Sequence, residues 1–203
     1  MTLATVPLDR IDLVLGSTSR YRAELLRRLT PTFRQIAPDV DETRADAEAP
    51  RALAVRLARA KAQAVARQCP GAIVIGSDQV AAFDDRVLGK PGTVEAAGAQ
   101  LAACNGRHVE FFTALCVVDM RAGEPRVFEA LDVTRVVFRA LSTHEIERYV
   151  ERERPLDCAG SFKSEGLGIA LFERIENDDP SALIGLPLIA LARLLREAGV
   201  GIL

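Results

Sequence analysis

Ala72-Ile73-Val74-Ile75-Gly76-Ser77-Asp78-Gln79 is a short apolar run that passes directly into polar residues. The Pro70-Gly71 pair bounds it on the other side, so Ala72–Gly76 reads as a buried strand with Asp78 just past its end. Ligands of α/β sheets gather at the carboxyl ends of strands, which makes Asp78 a candidate functional acid. Taken alone, it could equally be a turn former.

The pattern repeats upstream. Ile11–Gly16 is a second apolar run ending in glycine, followed by Ser17-Thr18-Ser19 and by a helix over Tyr21–Leu29 that stops before Pro31. A strand, a hydroxyl-rich loop and a helix start have the logic of an anion site, although Ser17 and Ser19 also suit helix capping. Phe33–Ala37 suits another strand, and Asp39-Val40-Asp41-Glu42-Thr43 an acidic loop. Arg51–Gln68 reads as a long helix introduced by Pro50.

Downstream, Asp84-Asp85 suits a hairpin turn, and Gly89-Lys90-Pro91-Gly92 a rigid loop into a helix over Thr93–Cys104. His108–Met120 and Arg126–Arg139 read as a long β-hairpin. Ser142-Thr143-His144-Glu145 is a capping box opening a helix to about Arg152. A last helix is expected from about Leu186, with Pro187 in its first turn, to Ala198. Strands alternate with helices before the hairpin intrudes, so the fold class is α/β with a central mixed sheet flanked by helices. There is no internal repeat and no evident linker, and residues 1–203 read as a single domain.

Composition narrows the function. The chain has 203 residues, 49% hydrophobic and 27% charged, with a formal charge of -2. An isoelectric point near 5.8 provides no global attraction to nucleic acid or to anionic membrane. No apolar segment is long enough to span a membrane, and Met1–Arg10 lacks the apolar core of a leader. Four scattered cysteines without a C-x-x-C pair suit reduced thiols in the cytoplasm. With only two histidines, a His-rich zinc site or a Ser-His-Asp triad has little to build with.

The polar residues of these loops sort into two kinds. Ser17, Ser19, Arg22, Lys61, Lys90 and Lys163 are donors able to hold a polyphosphate, Arg by bidentate contact and Lys as a point charge. Glu42 and Asp78 are hard oxygen ligands suited to Mg²⁺ or Mn²⁺. Phosphoanhydride cleavage needs both kinds, because phosphoryl charge must be neutralised while a water is aimed in line. No G-x-x-x-x-G-K-[ST] loop occurs. The residues by themselves leave open a phosphate-binding enzyme and an α/β domain of unspecified role.

Read in series, Ser17-x-Ser19-x-x-Arg22, Asp41-Glu42-Thr43, Lys61-Ala62, Ser77-Asp78-Gln79, Gly89-Lys90-Pro91, Gly160-Ser161-Phe162, Asp179-Pro180 and Gly185-Leu186-Pro187 resemble the Maf family of nucleotide pyrophosphatases. The resemblance runs from about Asp12 to Ala198. It implies a Maf/inosine-triphosphatase-like body of two lobes around a cleft, often dimeric, and hydrolysis of a nucleoside triphosphate between the α and β phosphates. Asp78 would prepare the water and share a divalent cation (Mg²⁺, Mn²⁺ or Co²⁺) with Glu42, while Arg22, Lys61 and Lys90 steady the phosphates.

The family branch acting on dTTP and UTP usually has Thr after the catalytic Asp. Gln79, with Ser161-Phe162-Lys163-Ser164-Glu165-Gly166, looks instead like the branch acting on 7-methyl-GTP. A methylated guanine is cationic, so an aromatic face at Tyr21 and the Glu165 carboxylate are natural receptors, and Gln79 offers a donor and an acceptor. Tyr21 departs from the Trp common in that branch, which implies a looser preference. Two alternatives stay open: a pyrophosphatase of the dTTP/UTP type, and a nucleotide-binding regulator without turnover, which the family's association with arrest of septum formation implies.

Overall fold

The computed structural model describes residues 5–203; the first four residues, the start of the stretch read as lacking a leader, lie outside the described residues. The strands are β1 (Val6–Pro7), β2 (Leu13–Gly16), β3 (Arg34–Ile36), β4 (Ile73–Phe83), β5 (Arg86–Leu88), β6 (His108–Asp119), β7 (Arg126–Phe138), β8 (Phe172–Glu176) and β9 (Val200–Gly201). The helices are α1 (Arg20–Leu26), α2 (Pro50–Ala66), α3 (Val94–Cys104), α4 (Thr143–Glu153) and α5 (Leu188–Glu197). One mixed sheet runs β3-β2-β4-β6-β7-β8, with β5 on the free side of β4, while β1 and β9 form a small parallel pair. The parallel members are β3, β2 and β4, and the rest is antiparallel.

The α/β class and the mixed sheet agree with the expectation, and one position is corrected. β4 does not end at Gly76. It continues for eleven residues, so Asp78 sits inside a strand, opposite Ala114 of β6. β6 offers a ladder along nearly the whole of β4, whereas β2 stops at Gly16 after pairing Leu15 with Ile75, and β5 takes up pairing only at Ala81. Among the described residues no strand pairs with β4 between these two on that edge. Asp78 therefore still lies beyond the carboxyl end of the parallel pair, at a gap in the sheet.

Local signals act where expected. Ser142 Oγ accepts from the Glu145 N–H at 3.3 Å while Glu145 Oε2 accepts from the Ser142 N–H at 2.8 Å, closing the capping box. Asp84 and Asp85 carry φ of 47° and 60°, a mirrored turn between β4 and β5. The last helix starts at Leu188, with Pro187 at its N-cap rather than in its first turn. The short strands β1, β8 and β9 were not expected.

The pleat divides the core. Leu13, Leu15, Ile73, Ile75, Leu115 and Val117 pack toward α1 and α5, and Val14, Val74, Cys116 and Val118 pack under α2. Farther along the hairpin, α3 and α4 close over Val109, Phe111, Val136 and Phe138. Two packed bodies thus share β4, β6 and β7, and the sheet gap beside β4 opens between them. Gly76 sets one wall of it. A Cβ there would collide with the Ala58 carbonyl and the Ala62 N–H, so only glycine lets α2 lie this close to the sheet. Lys61, one turn on from Ala58, is thereby laid over Asp78.

Candidate active site

The gap opens into a cleft of about 700 Å³. Its floor is a buried ion cluster. Lys61 Nζ donates to Asp78 Oδ1 at 2.6 Å and lies 2.8 Å from Glu42 Oε1. The Lys61 and Asp78 side chains are 7% and 9% exposed, against 59% for Glu42, so one acid is desolvated and the other wet. Burial pushes the Asp78 carboxyl above the usual carboxylate range, and Lys61 and Arg22 only partly offset it. A lysine that could have been solvated surface is here a buried counter-ion.

The loop after β2 folds back on itself. Ser17 Oγ accepts from the Ser19 N–H at 3.1 Å, and Ser19 Oγ caps α1 by accepting from the Arg22 N–H at 3.3 Å. Part of the hydroxyl string thus serves the helix start. Arg22 is half-buried; its Nε donates to the Gly185 carbonyl at 2.9 Å and its Nη1 to Ser17 Oγ at 3.4 Å. Burial lowers the affinity of this guanidinium for its proton, and Asp78 and Glu42 pull it back.

Residues 78 and 79 point to opposite faces because they are neighbours on a pleated strand. Asp78 meets α2. Gln79 meets Thr113 of β6 and the segment after β8: its Nε2 lies 3.0 Å from Thr113 Oγ1 and from the carbonyls of Ala182 and Leu183. Carbonyls only accept, so the amide nitrogen must face them and only Oε1 remains free for a ligand. The donor role expected of Gln79 toward a base is therefore corrected to a structural clasp. Backbone groups remain at the gap. Ile73 N–H bonds Asp12 O on the β2 side at 2.9 Å, and alternation turns the N–H and C=O of Ser77 and Gln79 to the same open edge.

The second wall comes from the other body. Gly89 and Lys90 line it, as do Phe111, Asp157, Cys158, Phe162, Ser164 and Glu165, with Tyr21 facing them from α1. Phe162 meets Phe111 edge-on at 5.3 Å between ring centres. Tyr21 is already engaged by its neighbour: the Arg20 guanidinium lies 4.8 Å from the ring centre, and Arg20 Nη2 donates to the Tyr21 hydroxyl at 2.8 Å. Burial pushes the Cys158 thiol up to about 12, so it is an inert lining group.

Of the expected residues, Ser17, Ser19, Tyr21, Arg22, Glu42, Lys61, Asp78, Gln79, Lys90 and Glu165 all converge on this cleft. Lys163 does not. Its Nζ donates to the Glu153 carbonyl at 3.2 Å, where the end of α4 leaves carbonyls unpaired and attracts a cation, so its phosphate role is corrected to a helix-end contact. The sequence reading quoted Ser77 within its motif but gave it no task; its Oγ is 3.0 Å from the Gly185 carbonyl. It also gave no task to Asp179, which accepts from Ser181 Oγ at 2.5 Å and from the Ile189 N–H at 2.6 Å, pinning the segment that carries Gly185 to the start of α5. The Asp179-Pro180 string was visible, but its partners lie in other elements.

A divalent cation fits the donor set in one way. Among the described residues no cluster of three or more His, Cys, Asp or Glu is assembled. Asp78 Oδ1 and Glu42 Oε1 both meet the Lys61 ammonium, so a Mg²⁺ or Mn²⁺ would take their remaining oxygens and be completed by substrate phosphates and water rather than by a closed protein cage. Among the described residues no helix is long and apolar enough to cross a membrane.

Known proteins resemble this chain along most of its length. A protein of Xanthomonas oryzae pv. oryzae named 7-methyl-GTP pyrophosphatase is 59% identical over 187 residues, covering 92% of this chain and 96% of that one. Proteins of the same name from Burkholderia thailandensis and Polaromonas sp. are 56% and 55% identical, covering 92% and 98% of this chain and 87% and 90% of theirs. Among solved structures, the Staphylococcus aureus Ham1 protein aligns at a TM-score of 0.47 and 16% identity, over 92% of this chain and 99% of that one. Residues 12–198 match the model of the Maf-like protein, and the chain belongs to the Maf family.

Proposed function

We propose that the protein hydrolyses the α–β phosphoanhydride of 7-methyl-GTP, releasing 7-methyl-GMP and pyrophosphate, and so clears a modified nucleotide. The observation that carries this reading is the desolvated Asp78–Lys61 pair at a sheet gap with Glu42 and Arg22 beside it. Relatives at 54–59% identity that bear the name 7-methyl-GTP pyrophosphatase support the substrate.

Asp78 is the general base in this reading. Burial raises its proton affinity against the pull of Lys61 and Arg22, and the side chain lines the cleft. Lys61 holds it oriented, and Arg22, fixed by the Gly185 carbonyl, faces the phosphates with Lys90 opposite. A divalent cation held by Asp78 and Glu42 would neutralise phosphoryl charge in the transition state. On the opposite face of β4, Phe111, Phe162 and Tyr21 offer apolar surface to the base, and Glu165 and Gln79 Oε1 accept from its N–H edge. The four cysteines are all free, which supports a reducing, cytoplasmic setting.

Purified protein with Mg²⁺ or Mn²⁺ is incubated with 7-methyl-GTP, GTP, dTTP and UTP, and pyrophosphate is measured. Preferred turnover of 7-methyl-GTP, lowered about a thousandfold by Asp78→Asn, is the expected result. Release of orthophosphate alone refutes the cleavage site, and preference for UTP refutes the base assignment. Tight binding without turnover points to a regulator instead.

A further inference from the structure

Gln100 is a half-buried residue of α3 that joins two stretches assigned above to different parts of the substrate. Its Nε2 donates to the Gly89 carbonyl at 3.2 Å, in the loop that carries Lys90. Its Oε1 accepts from Ser161 Oγ at 2.6 Å, in the stretch that carries Phe162 and Glu165. A peptide carbonyl only accepts, so the amide orientation is fixed and both ends are used. Gly92 N–H donates to the Leu156 carbonyl at 3.0 Å, a backbone tie between the same two stretches.

The Ser161 end is under load. Ser161 is fully buried with φ of 61°, directly after Gly160 at 76°. These two left-handed residues reverse the chain so that Phe162 enters the aromatic cluster and Glu165 reaches the cleft. A residue with a Cβ keeps such a conformation only where its surroundings hold it. Among the described residues, Gln100 is the one side chain that bonds the Ser161 hydroxyl.

We propose that Gln100 is a positioning residue that couples the Lys90 loop to the base-reading wall, so that seating the correct base also sets Lys90 on the phosphates. Gln100 itself does not line the cleft. Base discrimination is then expressed in kcat as well as in KM. This inference rests on the substrate reading given above.

The test uses the full chain with Gln100→Leu, Gln100→Glu and Ser161→Ala. The first readout is the kcat/KM ratio of 7-methyl-GTP to GTP; the second is amide hydrogen exchange of residues 89–92 and 158–166, which needs no turnover. Gln100→Leu is expected to lower the ratio about fivefold to tenfold, the equivalent of one lost hydrogen bond, and to speed exchange in both stretches. Gln100→Glu keeps the acceptor for Ser161 and loses the donor to Gly89, so exchange rises in 89–92 alone. Ser161→Ala is expected to speed exchange in 89–92, a stretch it does not touch. Unchanged exchange there, or an equal loss of kcat/KM for 7-methyl-GTP and GTP in Gln100→Leu, overturns the proposal. A wild type that prefers another triphosphate refutes the substrate reading, while the exchange result still decides the coupling.

Discussion

Removing Lys61 and removing Asp78 should have unequal effects on stability, although the two form one ion pair. In Lys61→Met, the cation leaves and two acids remain that both faced its nitrogen, Asp78 at 2.6 Å and Glu42 at 2.8 Å. Glu42 is 59% exposed and turns to water at a cost below about 1 kcal/mol. Asp78 is 9% exposed and cannot. Breaking a buried pair by deleting one partner costs roughly 3–5 kcal/mol, and the open cleft above Asp78 places this case near 3 kcal/mol. Asp78→Asn instead deletes a desolvated charge and leaves Lys61 paired with Glu42, so the loss is about 1 kcal/mol. Urea unfolding without metal, followed by far-ultraviolet circular dichroism because the chain has no tryptophan, reads the difference. At about 2 kcal/mol per molar, the midpoint should fall by about 1.5 M for Lys61→Met and about 0.5 M for Asp78→Asn. The Lys61→Met deficit should also shrink in acid. Asp78 binds its proton more tightly in the folded than in the unfolded chain, so its contribution to stability falls as pH rises between the two values, and losing Lys61 raises the folded value and widens that interval. Equal midpoints for the two variants, or a deficit that ignores pH, would refute the assignment of Lys61 as counter-ion to a desolvated acid.

Three further outcomes follow from the same structure. Gly76→Ala should cost about 1–3 kcal/mol and most of the activity, because its Cβ meets the α2 backbone and pushes Lys61 off Asp78; thermal melts and a turnover assay check both. Asp179→Ala should lose about 2 kcal/mol, since the Ser181 hydroxyl and the Ile189 N–H lose their acceptor, and should raise KM more than it lowers kcat as Gly185 and Arg22 shift. Burial pushes the Asp119 carboxyl up, but hydrogen bonds from Arg121 and Arg126 prevail and hold it below its ordinary value. Its stabilisation is present above the unfolded value and lost as pH falls through the folded one, so Asp119→Asn should flatten the acid limb of a stability profile.

Much of the fold was legible because its signals are local. The capping box at Ser142 and Glu145, the paired aspartates at the β4–β5 turn and the apolar runs of β2 and β4 each act within a few residues of themselves. The end of β4 was not legible. Whether a strand continues past Gly76 depends on β6, whose ladder reaches Ala82 from a partner far along the chain. The direction of Lys163 was hidden for the same kind of reason, since its acceptor is the Glu153 carbonyl at the end of another element.

The sequence by itself determined which chemical groups are available: the acids Asp78 and Glu42, the cations Arg22, Lys61 and Lys90, and an order of motifs that marks a Maf protein. Only the tertiary structure decided their states. Lys61 became a buried counter-ion because Gly76 admits α2 against the sheet, and Asp78 became a reluctant acid because that contact excludes water. Gln79 became a clasp because two carbonyls on a distant segment can only accept. Desolvation and hydrogen-bond partnership are properties of neighbours, and neighbours from separate elements exist only once the chain has closed around them.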